Sequence, residues 1–230
     1  MRSRPVLWIR LCGCLLVALA LPTLLAQSPP SSSSSKPIGK SASPGSAALD
    51  SGNVKDNVYR NSGFGFACKI PQGWVLRTDE MNVQKNDEPG TGNANKSPEK
   101  SDGGRVLLAA FSRPPEAHGE EVNSSILIVG ESAAAYPGLK DAAQYFGPVT
   151  EVAKGRGFDV DEEPYEFAVG NKIVVRGDFE KDVGSRVMHQ STLVMLARGY
   201  VVSFTFLGGT ENEVDELVGG LSFAAAKATK

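Results

Sequence analysis

Hydrophobic positions along this chain recur with two periods, and the switch between them marks its elements. In GFGFACKI, residues 63–70, Phe64, Phe66, Cys68 and Ile70 alternate with Gly65, Ala67 and Lys69, the period of two of a strand with one strongly apolar face. Pro71 lacks an amide donor and Gly73 tolerates a positive φ, so PQG turns the chain before Trp74 re-enters the core. The stretch GFGFACKIPQGW therefore reads as a strand and its stop, not as a chemical motif. VLLAAF (106–111) and ILIVG (126–130) are continuous apolar runs, suited to strands covered on both faces. From Gly138, GLKDAAQYF places Leu139, Ala142, Ala143 and Phe146 at helical spacing. That spacing predicts one helix ending near Gly147 and Pro148, with Val149, Val152 and Ala153 as a kinked continuation.

Four strand-like runs follow: PYEFAV, KIVVRGDF, VMHQSTLVMLA and YVVSFTF, with breaks at Gly170-Asn171, around Asp182 to Ser185, and at Arg198-Gly199. Connections this short join antiparallel neighbours. In the last run Tyr200, Val202, Phe204 and Phe206 form one apolar face, with Ser203 and Thr205 on the other. Thr210 and Glu213 then stand at the spacing of a capping box ahead of Val214, Leu217, Val218 and Leu221, which predicts a closing helix ended by Gly219 and Gly220. Such a helix must lay its stripe on the sheet, the only large apolar surface available. The sum is an α+β fold, an antiparallel sheet of about six or seven strands with helices packed on it in an α-β-α sandwich.

Composition adds an organisation around that domain, expected over residues 56–225. Arg2, Arg4 and Arg10 precede an apolar run from Leu11 to Ala26, the order of a secretory signal, with cleavage expected after Ala26. The run is about 16 residues and contains Pro22, short of the roughly 20 of a spanning helix, so no stable membrane span is expected after cleavage. An uncleaved signal would leave the chain membrane-anchored. LCGC, residues 11–14, looks like a lipoprotein box, but most of the apolar run follows Cys14. From Gln27 to about Lys55 the chain is rich in Ser and Pro with little to bury, and is read as a disordered tether. A second polar stretch, 84–104, is read as a long internal loop.

Loss of residues 1–26 removes three arginines from 24 basic groups and none of the 26 acids, leaving 21 against 26, a net of −5. Nucleic acid is therefore excluded as a partner, since phosphate binding needs a clustered positive patch. Cys12 and Cys14 leave with the signal, and Cys68 alone cannot form an internal disulfide.

The combination of VYRNSGFGFACKIPQGW, the strand hairpins and a closing acidic helix ending in LVGGLSF resembles the PsbP-like superfamily, including exported DcrB-type bacterial proteins, over Val58 to Phe223. The resemblance implies an α-β-α sandwich without known catalysis, used as an assembly, stabilising or partner-binding module. No metal or partner residue of that superfamily can be matched onto this sequence.

GTGNANKS (90–97) misses the phosphate-loop pattern by Asn95 in place of its second glycine, and Pro98 follows where a helix should open. Only His118 and His189 are available as imidazoles, and no metal-ligand spacing joins them. His189 could act as a base for Ser191 or a neighbouring strand's serine, oriented by an acid such as Asp178. Residues two apart on a strand stand about 7 Å apart, too far for a bond between His189 and Ser191. Cys68, on the apolar strand face, should be inert. Glu162-Glu163 and Glu120-Glu121 read as solvated acids. Asn123-Ser124-Ser125 fits a glycosylation acceptor. The expectation is an exported, non-enzymatic module with no cofactor and no metal, whose partner is another protein of the cell envelope. The alternatives are a hydrolase built on His189 and a carrier of an apolar ligand in a cavity lined by Phe64, Phe204 and Leu217.

Overall fold

In chain order the elements are β1 (Asn53–Lys55), β2 (Val58–Asn61), β3 (Phe66–Lys69), β4 (Val75–Leu76), α1 (Thr78–Asn86), β5 (Arg105–Phe111), β6 (Ser125–Ser132), α2 (Phe146–Gly155), β7 (Asp159–Val169), β8 (Lys172–Val183), β9 (Arg186–Ala197), β10 (Tyr200–Gly208), α3 (Glu211–Gly219) and β11 (Leu221–Phe223). They come from a computed structural model that describes residues 49–86, 104–117, 119 and 122–224. Seven strands form one antiparallel sheet, in the order β4-β5-β6-β10-β9-β8-β7, and four form a second, in the order β1-β2-β3-β11. The fold is α+β. The expected signal segment and most of the expected tether lie outside the described residues.

The predicted hairpin breaks fall at two-residue connections: Gly170-Asn171, Gly184-Ser185 and Arg198-Gly199. Arg198 and Gly199 both carry positive φ, 53° and 80°, the twist that lets two residues join right-twisted strands.

The large sheet is apolar on both sides. Toward one side point Val202, Phe204 and Phe206 of β10, Leu193 and Met195 of β9, and Ile126 and Ile128 of β6; these pack with Phe66, Cys68, Val214, Leu217 and Leu221. That layer is the small sheet together with α3. Toward the other side point Val201, Val194 and Phe179, which meet Tyr145, Phe146, Ala153 and Phe158. The alternation read in residues 64–70 is realised: Phe66, Cys68 and Ile70 are buried, and Phe64 packs at the rim against Tyr200, ring centroids 5.8 Å apart. Burial pushes the Cys68 thiol up to about 12, as its apolar setting requires.

Three local expectations are corrected. First, the helix predicted from Gly138 does not form as such: within it only Ala143–Tyr145 makes a 3-10 turn, and α2 begins at Phe146 and takes in the expected continuation at Val149, Val152 and Ala153. Pro148 sits in the first turn of α2, where its missing amide has no partner to lose. Tyr136 donates to Glu131 at 2.6 Å and Tyr145 donates to the same carboxylate oxygen, fastening this segment to β6. Second, the polar stretch from residue 84 opens on the last turn of α1. That helix finishes the edge of β5 with side chains: the Ala109 amide donates to Thr78 Oγ1 at 3.0 Å, and Asn82 both accepts from the Val106 amide at 3.0 Å and donates to its carbonyl at 2.9 Å. An edge closed in this way offers no strand template. Third, Leu49 to Lys55, placed in the tether, belong to the fold. Leu49 packs on the core, and the Asp50 carboxylate accepts from the amides of Gly52 (2.9 Å) and Gly63 (2.7 Å) and the Ser62 hydroxyl (3.0 Å). Those amides hold the Asp50 carboxyl below its usual range.

Gly177 of β8 is fixed by the ring it carries, since an added Cβ would lie 2.6 Å from Phe146 Cε1. Gly177→Ala is expected to lower stability by about 1–3 kcal/mol through overpacking, read as a lower urea midpoint. Combining it with Phe146→Leu should recover part of the loss, and additive losses would refute the contact as the cause.

Candidate functional site

Along β8, Arg176 and Asp178 are two apart and share a face; Tyr165 of β7 lies opposite Arg176, and Ser191 of β9 opposite Asp178. The four side chains thus meet on the sheet side that carries α3, past the end of the apolar core. Gly177 between them turns to the opposite face. From α3, Asp215 reaches down to the group.

Asp178 is the centre of the cluster. Arg176 Nε donates to both of its oxygens at 3.0 Å, the Tyr165 hydroxyl donates at 3.1 Å, and the Ser191 hydroxyl donates to Oδ1. Arg176 Nη2 donates to Asp215 Oδ1 at 2.8 Å, and its guanidinium lies 5.0 Å from the centre of the Phe167 ring. The side chains of Arg176 and Asp178 are only 12% and 13% exposed. Burial alone would pull Arg176 down, but its bond to Asp215 and the charge of Asp178 outweigh that and leave it above its ordinary value. Burial, then the charge of Asp178, pushes the Tyr165 phenol up to about 12.

His189 lines the same cleft of about 240 Å³ with Asp178 and Ser191. The imidazole, hydroxyl and carboxylate named from sequence are therefore brought together, but not in the order that nucleophilic catalysis needs. Among the described residues no hydrogen bond joins His189 to Ser191; the serine proton is directed at the carboxylate. His189 pairs across the sheet with Glu180 and Gly208. Arg176, Tyr165 and Asp215 were not singled out from sequence, although the hairpin register contains the first two. Two-residue breaks at Gly170-Asn171 and Gly184-Ser185 set Tyr165 against Arg176 and Asp178 against Ser191.

Other candidates fall elsewhere. His118, Glu120, Glu121 and Gly90 to Ser97 lie outside the described residues. Glu162 and Glu163 are exposed on β7. Among the described residues no group of three or more His, Cys, Asp or Glu is placed to hold a metal ion, and no helix is long and apolar enough to cross a membrane. The Asn123 side-chain nitrogen, the would-be glycan acceptor, donates to the Arg113 carbonyl at 3.1 Å. Of the residues expected to line a ligand cavity, Phe204 and Leu217 are buried, with the Phe66 and Phe223 rings 4.9 and 6.2 Å from Phe204, and Phe64 is partly buried against Tyr200.

No protein-family model matches the chain, and no curated protein matches it. Among solved structures it is similar to cyanobacterial PsbP from Synechocystis sp. PCC 6803, at 14% identity and a TM-score of 0.44 over 73% of this chain and 91% of that one. It is also similar to LpqN of Mycobacterium tuberculosis, described as involved in cell envelope biogenesis (11% identity, TM-score 0.34, 72% and 87%). A third is a protein of Bacteroides thetaiotaomicron VPI-5482 (10%, TM-score 0.35); the match takes in 74% of this chain and spans about half, 48%, of that protein.

Two outcomes follow from the cluster. Arg176→Met leaves the Asp178 carboxylate buried without its cation and is expected to lower stability by about 3 kcal/mol or more, read by urea unfolding. Stability should also fall as pH rises from about 10, where an unfolded tyrosine ionises, toward about 12, where folded Tyr165 does, because the native state keeps its proton longer. Tyr165→Phe should shallow that decline without abolishing it, since Tyr59, Tyr136 and Tyr145 are also raised. An unchanged decline would remove Tyr165 from the cause.

Proposed function

We propose that this chain is an exported, non-enzymatic binding or assembly module whose folded part meets another protein of the cell envelope. The observation that supports this reading is the saturation of Asp178. A general base needs a lone pair free to take a proton, and the Asp178 oxygens already accept from Arg176, Tyr165 and Ser191. Ser191 in turn lacks the imidazole contact that would activate it. The charged-then-apolar order of residues 2–26 supports export, and the net negative charge of the remainder argues against nucleic acid.

A hydrolase is the second reading, because His189, Ser191 and Asp178 do line one cleft. It requires Ser191 to exchange Asp178 for His189, a rearrangement that would leave the Arg176–Asp178 pair short of one donor.

The purified protein is expected to show no turnover above blank on ester, phosphomonoester and peptide substrates, while crosslinking in the native envelope yields one recurrent protein partner in near-stoichiometric amount. Turnover that disappears in His189→Ala would sink the non-enzymatic reading.

A further inference from the structure

Beside the Asp178 cleft, across the Arg176–Asp215 ion pair, lies a second depression of about 340 Å³. Its walls are Phe167 and Val169 of β7 on one side and Val218 and Leu221 at the α3–β11 corner on the other. β7 is the edge strand of the large sheet and β11 an edge strand of the small one, and the two are not paired with each other. The groove therefore runs between two sheet edges. We propose that it docks an extended segment of the partner protein, one that sets an apolar side chain in the groove and a Lys or Arg in the neighbouring acidic cleft. The proposal rests on the binding-module reading and specifies its partner's chemistry.

Three observations carry it. The groove presents the apolar side chains of Phe167, Val169, Val218 and Leu221 beside polar surface that includes Arg176 and Asp215, so it suits one apolar anchor with a polar neighbour. The adjoining cleft is lined by Asp161, Glu162, Glu211 and Asp215. Arg176 is committed to Asp178 and Asp215, and among the described residues no ion pair engages Asp161, Glu162 or Glu211. Those exposed carboxylates favour a cation and disfavour both a second copy of this acidic chain and an anionic lipid surface. Finally, the outer half of β7 from Tyr165 to Val169 keeps regular register with β8, whereas the register shifts between Val160 and Tyr165, where Pro164 also stands. Strand addition is thus confined to the stretch that borders the groove.

The test is a heteronuclear NMR titration of the isotope-labelled chain, from residue 27 onward, with Gly/Ser peptides of about ten residues. The probe carries one Phe and, four residues on, one Lys, a spacing of about 13 Å in an extended segment. Companion peptides replace Lys by Glu or Phe by Ser. Amide shifts should concentrate at Phe167 to Gly170 and Val218 to Leu221. Affinity should drop about tenfold or more for either companion peptide, and should weaken as salt rises from about 20 mM to about 500 mM, where exposed charges are screened. Gly219→Phe should abolish the shifts: Gly219 lines the groove, and a Cβ there meets nothing within 4 Å, so the position accepts a side chain that takes up groove volume. Glu162→Lys, on the exposed edge, gives a second variant whose spectrum reports retained fold.

Absent or scattered shifts, or equal binding of the Glu peptide, would overturn the proposal. Shifts at the groove on concentrating the chain without peptide would assign it to a second copy and overturn it likewise. If the envelope partner crosslinks as well to Gly219→Phe as to the natural chain, the groove is excluded while the binding reading stands.

Discussion

A seven-stranded sheet whose central strands are apolar on both faces must be desolvated twice, and the rest of the structure answers that requirement. In β10 the adjacent residues Val201 and Val202 point to opposite sides and are both buried. The two covers are unlike. On one side the chain folds a four-stranded sheet and α3 over the surface, with the Phe66 and Phe204 rings meeting edge to face. On the other a segment of short turns and one helix, residues 133–158, does the same with Tyr145, Phe146 and Phe158. Phe146 lies so close to β8 that only glycine fits beneath it.

The polar cluster lies beside α3, whose Glu211, Val214 and Asp215 line the same cleft. On that sheet face β7, β8 and β9 pass from the apolar Phe167, Val174 and Leu193 to Tyr165, Arg176, Asp178 and Ser191. Half-buried charges of this kind must be paired, and Arg176 does so in two directions, to its own strand and to Asp215 of α3. The same arginine thereby ties α3 to β8 and lines both surface depressions.

Much of this was legible from residue order alone. Two-residue breaks such as Arg198-Gly199 locate hairpins because few dipeptides adopt the required twist, and Thr210 with Glu213 located α3: the Glu213 amide donates to Thr210 Oγ1 at 3.2 Å, while the Glu213 carboxylate accepts from the Gly209 amide at 2.9 Å. What misled was punctuation with two meanings. Pro148 can end a helix or open one, and only the burial of Tyr145 and Phe146 against Val194 and Phe179 decides for the second. α1 was not seen because its work is done by polar side chains, Thr78 and Asn82, which leave no apolar stripe. At the cluster, Asp178 and Ser191 were both named, but as servants of His189; the cross-strand register that joins them directly went unused.

The small sheet has a consequence for how the molecule comes together. β7 to β10 are joined by tight turns and can zip as sequence neighbours. β3, by contrast, is completed only by β11, with Ser222 bonded to Ala67 across 155 residues of chain. Phe66 and Cys68 therefore stay wet until the far strand is made, so a nascent polypeptide emerging one end first passes through a stage with a greasy flank and an unfinished ladder, and it is in that interval that a chaperone would find something to grip.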